Sequence, residues 1–156
     1  MAKRFKFRLD TVLKIRKQRE DQRKRVVADR LRQISQVREQ MAAIDRQIGD
    51  EMRAIRRAQS PGTIDIQQAM RHRHWLGHLH KTALEAGARL RFLEARLAQE
   101  RAVLAEAVKQ RRILAKLKEQ QWERYRQEAD KRELAASDEM ATVRYVFSRP
   151  EQAVPV

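Results

Sequence analysis

Hydrophobic positions in this chain recur every seven residues, stop at one place, and resume. Val27, Ile34, Met41, Ile48 and Ile55 form the first series. Leu76, Ala83, Leu90, Leu97 and Leu104 form the second. Between them stands Ser60-Pro61-Gly62-Thr63. Proline lacks the helical N–H and biases Ser60 away from helical dihedrals. Glycine accepts the dihedrals of a turn. A seven-residue repeat puts one apolar stripe along a helix, and a short connection leaves two such helices antiparallel. The pattern predicts an all-α fold of two long helices in an antiparallel coiled-coil hairpin, the second longer than the first.

The predicted boundaries follow from the same marks. Helix 1 covers about 10–58, with Asp10 or Thr11 accepting the free N–H groups of its first turn. The turn covers 59–63 and helix 2 about 64–145. Residues 1–147 form a single antiparallel coiled-coil domain. Residues 148–156, with two prolines and little patterning, form a disordered tail. Helix 2 has about 80 residues, or roughly 120 Å.

Read position by position, the seam is uneven. Val37 and Ile44 fill the alternate d positions of helix 1, and Leu31 and Met52 widen the stripe. Upstream the seam reads Leu9, Leu13, Arg16, Glu20, Arg23, so its middle is charged. On helix 2 the d positions are Leu79, Ala86, Leu93, Glu100, Ala107 and Leu114. A turn centred near 61–62 puts residue 5 opposite residue 118, with helix 2 overhanging by about 20–25 residues. Glu100 then falls within a turn of Arg23, which predicts an ionic layer that sets register more than it stabilises. Ala83, Ala86, Gly87 and Ala88 predict close backbone approach beside Val37 and Met41.

Composition agrees with long helices: 37% of the 156 residues are charged, with only four Gly and three Pro. There is no cysteine, so disulfide and thiolate chemistry are excluded. No apolar run reaches the roughly 18 residues of a membrane span. The opening MAKRFKFRLD is basic without an apolar core, unlike a secretory signal.

The net charge is +15, and it is lopsided. Residues 1–32 hold 13 basic and 4 acidic side chains. Such a patch can meet nucleic acid, anionic lipid or an acidic protein surface. The basic run from Arg16 to Arg25 is interrupted by Glu20 and Asp21 and carries no aromatic. A basic-zipper reader of DNA needs a parallel dimerising zipper, whereas here the zipper positions are answered within the chain. No specific nucleic acid is expected as partner. A basic coiled-coil nucleic-acid-associated or structural scaffold protein is the alternative reading.

Little points to catalysis. There is no Gly-rich phosphate loop, nucleophile elbow or paired carboxylate, and a two-helix seam offers no enclosed pocket. The chain is expected to be non-enzymatic, with no cofactor. His72, His74, His78 and His80 lie close together, and His74 and His78 share a helix face as metal-binding pairs do. No acid or thiol stands near them in sequence, and Arg71, Arg73 and Lys81 repel a cation, so a solvated basic patch is expected. The aromatics fit the seam poorly. Trp75 flanks it and Phe92 points outward, which predicts partner contact. Trp122 and Tyr125 fall in the predicted overhang, which with Leu114 and Leu117 nearby is also a candidate surface for self-association with a second copy.

Two stretches look familiar. Phe5-Lys6-Phe7-Arg8-Leu9-Asp10-Thr11-Val12-Leu13-Lys14-Ile15-Arg16 resembles the F-x-F-x-L-x-x-V-L-x-x-R start of the flagellar FliJ family. Leu114 to Glu119, then Glu133 and Asp138-Glu139-Met140-Ala141, is similar to that family's second-helix pattern. The resemblance covers about residues 4–145. It implies a cytoplasmic component of flagellum biogenesis and motility, peripherally associated with the inner membrane at the flagellar base. It implies a type III protein export stalk, like the central stalk of a rotary ATPase. The end with both termini would enter a FliI-type export ATPase hexamer, and another surface would meet an FlhA-type export gate protein. Export chaperones are further implied partners. Alignment with the family puts the gate contact near Ile44, Trp75 and Leu79, to which the outward Phe92 is added. For the ATPase ring the candidates are Arg16, Arg19, Arg23, Lys24, Trp122 and Tyr125. Where family members carry helix 1 aromatics, this chain has Gln47 and Glu51.

Overall fold

The computed structural model describes residues 5–59, 62 and 65–148. It contains two helices, α1 (Asp10–Ala58) and α2 (Ile66–Phe147), of 49 and 82 residues. The two pack against each other, and the second is the longer. Most of the expected turn, and the tail beyond Ser148, lie outside the described residues.

The helix ends obey local chemistry, with one exchange of roles. The Asp65 carboxylate accepts the N–H groups of Gln67 and Gln68 at 3.0 and 3.2 Å, capping α2. Asp10 or Thr11 was the expected cap of α1, and the Asp10 carboxylate is taken by Lys118 at 2.6 Å and Lys14 at 3.1 Å. Its backbone N–H instead donates to the Phe7 carbonyl at 3.2 Å. Asp10 remains an acid in the first turn, and Arg56 and Arg57 stand in the last, both matching the helix dipole.

The chain divides into two compact units, Lys17–Val108 and Met1–Arg16 with Lys109–Val156. In the first, Ile34, Val37, Leu93 and Leu97 form the buried core, with Val27, Met41 and Leu90 packed on it. Leu79 is buried too, at 3% exposure. Every one of these is a predicted seam position. The expected widening at Leu31 and Met52 fails, since both are exposed. The e position faces solvent when two narrow helices meet along a single seam.

The ionic layer exists with a different partner. Glu100 accepts from Arg30 Nε at 3.1 Å and from Nη2 at 2.7 Å, while Arg23 is exposed. Arg30 is one heptad beyond Arg23 and occupies a d position between Val27 and Ile34, so the turn-side seam is not wholly apolar. Turn arithmetic misplaced the pair because it took register from the loop alone, whereas antiparallel packing sets each a position beside a d position of the other helix. That condition favours Val27's layer for Glu100, and the long Arg30 side chain lies within reach. Gly87 was expected to admit a close backbone. A Cβ placed there would meet only Arg91 Nη1, at 3.8 Å.

In the other unit, residues 5–9 precede α1 without helix, and Phe7 is buried at 5% exposure. Lys118 bonds Asp10 rather than standing opposite residue 5. Phe5 lies farther along α2, its ring 5.2 Å from Trp122 and 5.6 Å from Tyr125. Residues 5–7 carry no helix and residues 8–9 form a turn, so this segment reaches Trp122 and Tyr125 by a path that helical register does not set.

Candidate partner-binding surfaces

The first surface is built by the F-x-F segment. Period-two alternation sends Phe5 and Phe7 to the same side. Phe7 packs beneath Lys118, whose Nζ stands 5.9 Å from its ring centre. Phe5 meets Trp122 edge-on, and Trp122 stacks with Tyr125 at 5.8 Å. Trp122 remains 48% exposed, so the cluster is apolar, aromatic and open to a partner. Trp122 and Tyr125 were expected in the overhang; Phe5 covers them in part, and the uncovered helix begins beyond them. Arg16 is half-buried and donates to Gln110 Oε1. The hydrogen bond from Lys118, then that from Lys14, holds the Asp10 carboxyl below its ordinary pKa.

The basic run on α1 is not uniformly available. Glu20, at an a position, is buried at 4% exposure and takes Lys24 at 2.6 Å. Burial of this carboxylate requires such a partner. Lys24 is thereby engaged by Glu20 while still exposed, as Arg19 and Arg23 are. Arg23 borders a shallow groove with Val26, Arg96, Gln99, Glu100 and Val103.

The expected gate residues separate. Trp75 is exposed and stacks on His78, ring centres 5.3 Å apart. Phe92 is 60% exposed, with the Arg96 guanidinium 5.8 Å from its ring centre. Ile44 is half-buried in an open groove beside Ala43, Gln47 and Ala86. Leu79 offers no surface, because its side chain is spent in the seam. Ile66 and Met70, both exposed by about two thirds, stand near Trp75 in sequence and were overlooked.

The histidines have an acidic neighbour that sequence proximity hid. His72 Nδ1 hydrogen-bonds Glu51, twenty-one residues away and on the other helix. Among the described residues, no group of three or more potential ligands is placed to hold a metal ion. No helix among them is long and apolar enough to cross a membrane.

Two helices packed along one seam, with aromatic and basic side chains left exposed, define an all-α coiled-coil protein. The family described as Flagellar FliJ protein matches residues 5–149, nearly the whole chain, and the chain belongs to the FliJ family. Membership makes it a flagellar export-related stalk protein, a structural component and not a member of a known enzyme family. No curated protein and no solved structure matches the chain.

Proposed function

We propose that this chain is the central stalk of a flagellar type III export apparatus, engaging a FliI-type ATPase hexamer and coupling it to an FlhA-type export gate. The family match over residues 5–149 carries this reading. Side-chain chemistry supports the division of labour. The ATPase contact uses the open cluster of Trp122 and Tyr125 with the exposed Arg19 and Arg23, while Arg16 and Lys24 are already engaged within the chain. The gate contact uses Trp75 and Phe92, with the accessible edge of Ile44. Leu79 holds α2 in place behind them. Aromatic side chains carry much of the energy of protein interfaces, and arginines speed and orient encounter. Escort of export chaperones and peripheral placement at the inner membrane belong to the same reading.

The test is to titrate the chain into its cognate export ATPase and follow ATP hydrolysis and hexamer formation. Stimulation is expected, reduced by Trp122→Ala and by Arg19→Ala with Arg23→Ala. Trp75→Ala and Phe92→Ala should leave stimulation intact and weaken capture of the gate protein's cytoplasmic domain. Saturating chain that leaves turnover and oligomeric state unchanged would sink the proposal.

A further inference from the structure

Near the break in the chain, the two helices are joined by a polar contact where their apolar packing is thin. Moving by heptads from Ile34 opposite Leu93 brings Ile48 opposite Leu79 and Ile55 opposite His72. The same steps from Val37 opposite Leu90 bring Glu51 opposite Leu76. Glu51 and His72 thus occupy adjacent layers of the seam, and the hydrogen bond between His72 Nδ1 and the Glu51 carboxylate bridges them. Both side chains are largely withdrawn from water, with 22% of His72 and 17% of Glu51 exposed. Toward Ala58 and Ile66, where the helices end, the remaining seam positions are Ile55, Ala58 and Ala69, each half-buried. Two of those three are alanines, which bury little apolar area. Closure of this end therefore leans on the polar pair.

We propose that Glu51 and His72 form a pH-sensitive latch on the turn end of the hairpin. Arg30 and Glu100 bridge adjacent layers in the same way at the other end of the core. A guanidinium keeps its charge at every working pH, whereas an imidazole changes charge between about pH 5 and 8. One bridge is therefore permanent and the other conditional. A carboxylate only accepts, so Nδ1 carries the proton of the hydrogen bond in either state of the ring. A charged ring adds an ion pair to that bond, and partial burial limits its screening. The latch is tight while His72 is charged and slackens as rising pH neutralises the ring. Other charges leave the pair to itself. By the same register, the α1 positions around His72 besides Glu51 are Met52, Ala54, Ile55 and Ala58, none charged. Asp50 and Arg53 pair with each other at the surface, and Arg56 and Arg57 are exposed. On α2 the neighbours one turn away are Gln68, Ala69, Trp75 and Leu76, while Arg71, Arg73 and His74 are exposed. The exposed Met70 and Trp75 ride on these turns of α2, so the latch governs how firmly that apolar surface is held. It is a property of the chain alone and does not rest on the export reading.

Amide hydrogen exchange of the full chain, compared at about pH 6 and about pH 8 and corrected for the intrinsic rate at each, reads the latch directly. Amides from Met70 to Leu76 should be about three- to fivefold better protected at the lower pH. Those of the core, from Ile34 to Val37 and from Leu93 to Leu97, should not differ. His72→Gln keeps a donor that does not titrate and should abolish the difference, as should Glu51→Gln. His74→Gln and His78→Gln, both at exposed positions, should preserve it. Equal protection of Met70 to Leu76 at both pH values in the unsubstituted chain would overturn the proposal, whatever the variants do. So would a difference that survives His72→Gln, or one that the core amides share.

Discussion

The two compact units use the same two helices in different ways. In Lys17–Val108 the seam is a zipper: Ile34, Val37, Leu93 and Leu97 form the buried core, and the ion pairs Arg30–Glu100 and Lys24–Glu20 lie beyond it along the seam. In Met1–Arg16 with Lys109–Val156, α1 supplies little apolar surface, and a non-helical aromatic segment packs on α2 in its place. Apolar layers are strong and undiscriminating. Aromatic and ionic contacts are weaker, and here they leave Trp122 half-exposed. The contrast teaches that one coiled-coil chain can hold a self-sufficient stretch and a receptive one without changing secondary structure.

The largest blow to that contrast is a cavity in the zipper. Leu93→Ala should cost about 2–5 kcal/mol in urea unfolding and weaken protection of amides around Ile34 to Leu97. If it costs under about 0.5 kcal/mol, the zipper is not what holds that unit. Phe7→Ala comes next, at about 1–3 kcal/mol, because the ring is buried in an otherwise sparse unit. In a Trp75→Phe background it should also shift Trp122 emission to the red as Phe5 lets go. An unmoved spectrum means the aromatic cluster does not depend on the N-terminal segment.

The ion pairs sharpen the comparison further. The Glu100 carboxyl lies below its ordinary pKa because Arg30 hydrogen-bonds it, with partial burial opposing the shift. Asp10 is lowered by Lys118 and Lys14. A lowered carboxyl contributes stability that is complete above its ordinary value, 4.5 for Glu100 and 3.8 for Asp10, and is lost as pH falls through the folded value. Acid titration followed by circular dichroism should therefore show helix loss only below that range. Molar salt should weaken the Asp10–Lys118 contribution more, since that pair is the more exposed. Arg30→Ala should lower Tm more than replacing Arg30 and Glu100 together by Leu, because the single change strands a carboxylate in the seam. The smallest effect is a gain. Gly87→Ala should stabilise by up to about 1 kcal/mol, since the added Cβ meets no backbone. A loss there would show that the helices approach more closely than the contacts at Gly87 allow.

The heptad read from sequence located the core residues, because a period of seven leaves a narrow helix one stripe to bury. The exposure of Trp75 and Phe92 was legible for the complementary reason: neither fits that stripe. Arg30 was also legible, as a charged d position, but a list of apolar residues passes over it. Glu51 beside His72 and Phe5 beside Trp122 were not legible. Each joins residues far apart in sequence, and the register that joins them depends on layer matching along the whole seam.

Sequence by itself determined that this chain makes two unequal helices, where they break, which stripe each buries, and which family it belongs to. These are consequences of local propensity and period, which a chain carries without its neighbours. Tertiary structure decided which residue faces which: Arg30 instead of Arg23 for Glu100, Lys118 for Asp10, Trp122 and Tyr125 for Phe5. Many registers satisfy a seven-residue repeat almost equally, and only the summed fit of layers, long side chains and a non-helical N-terminal segment selects one.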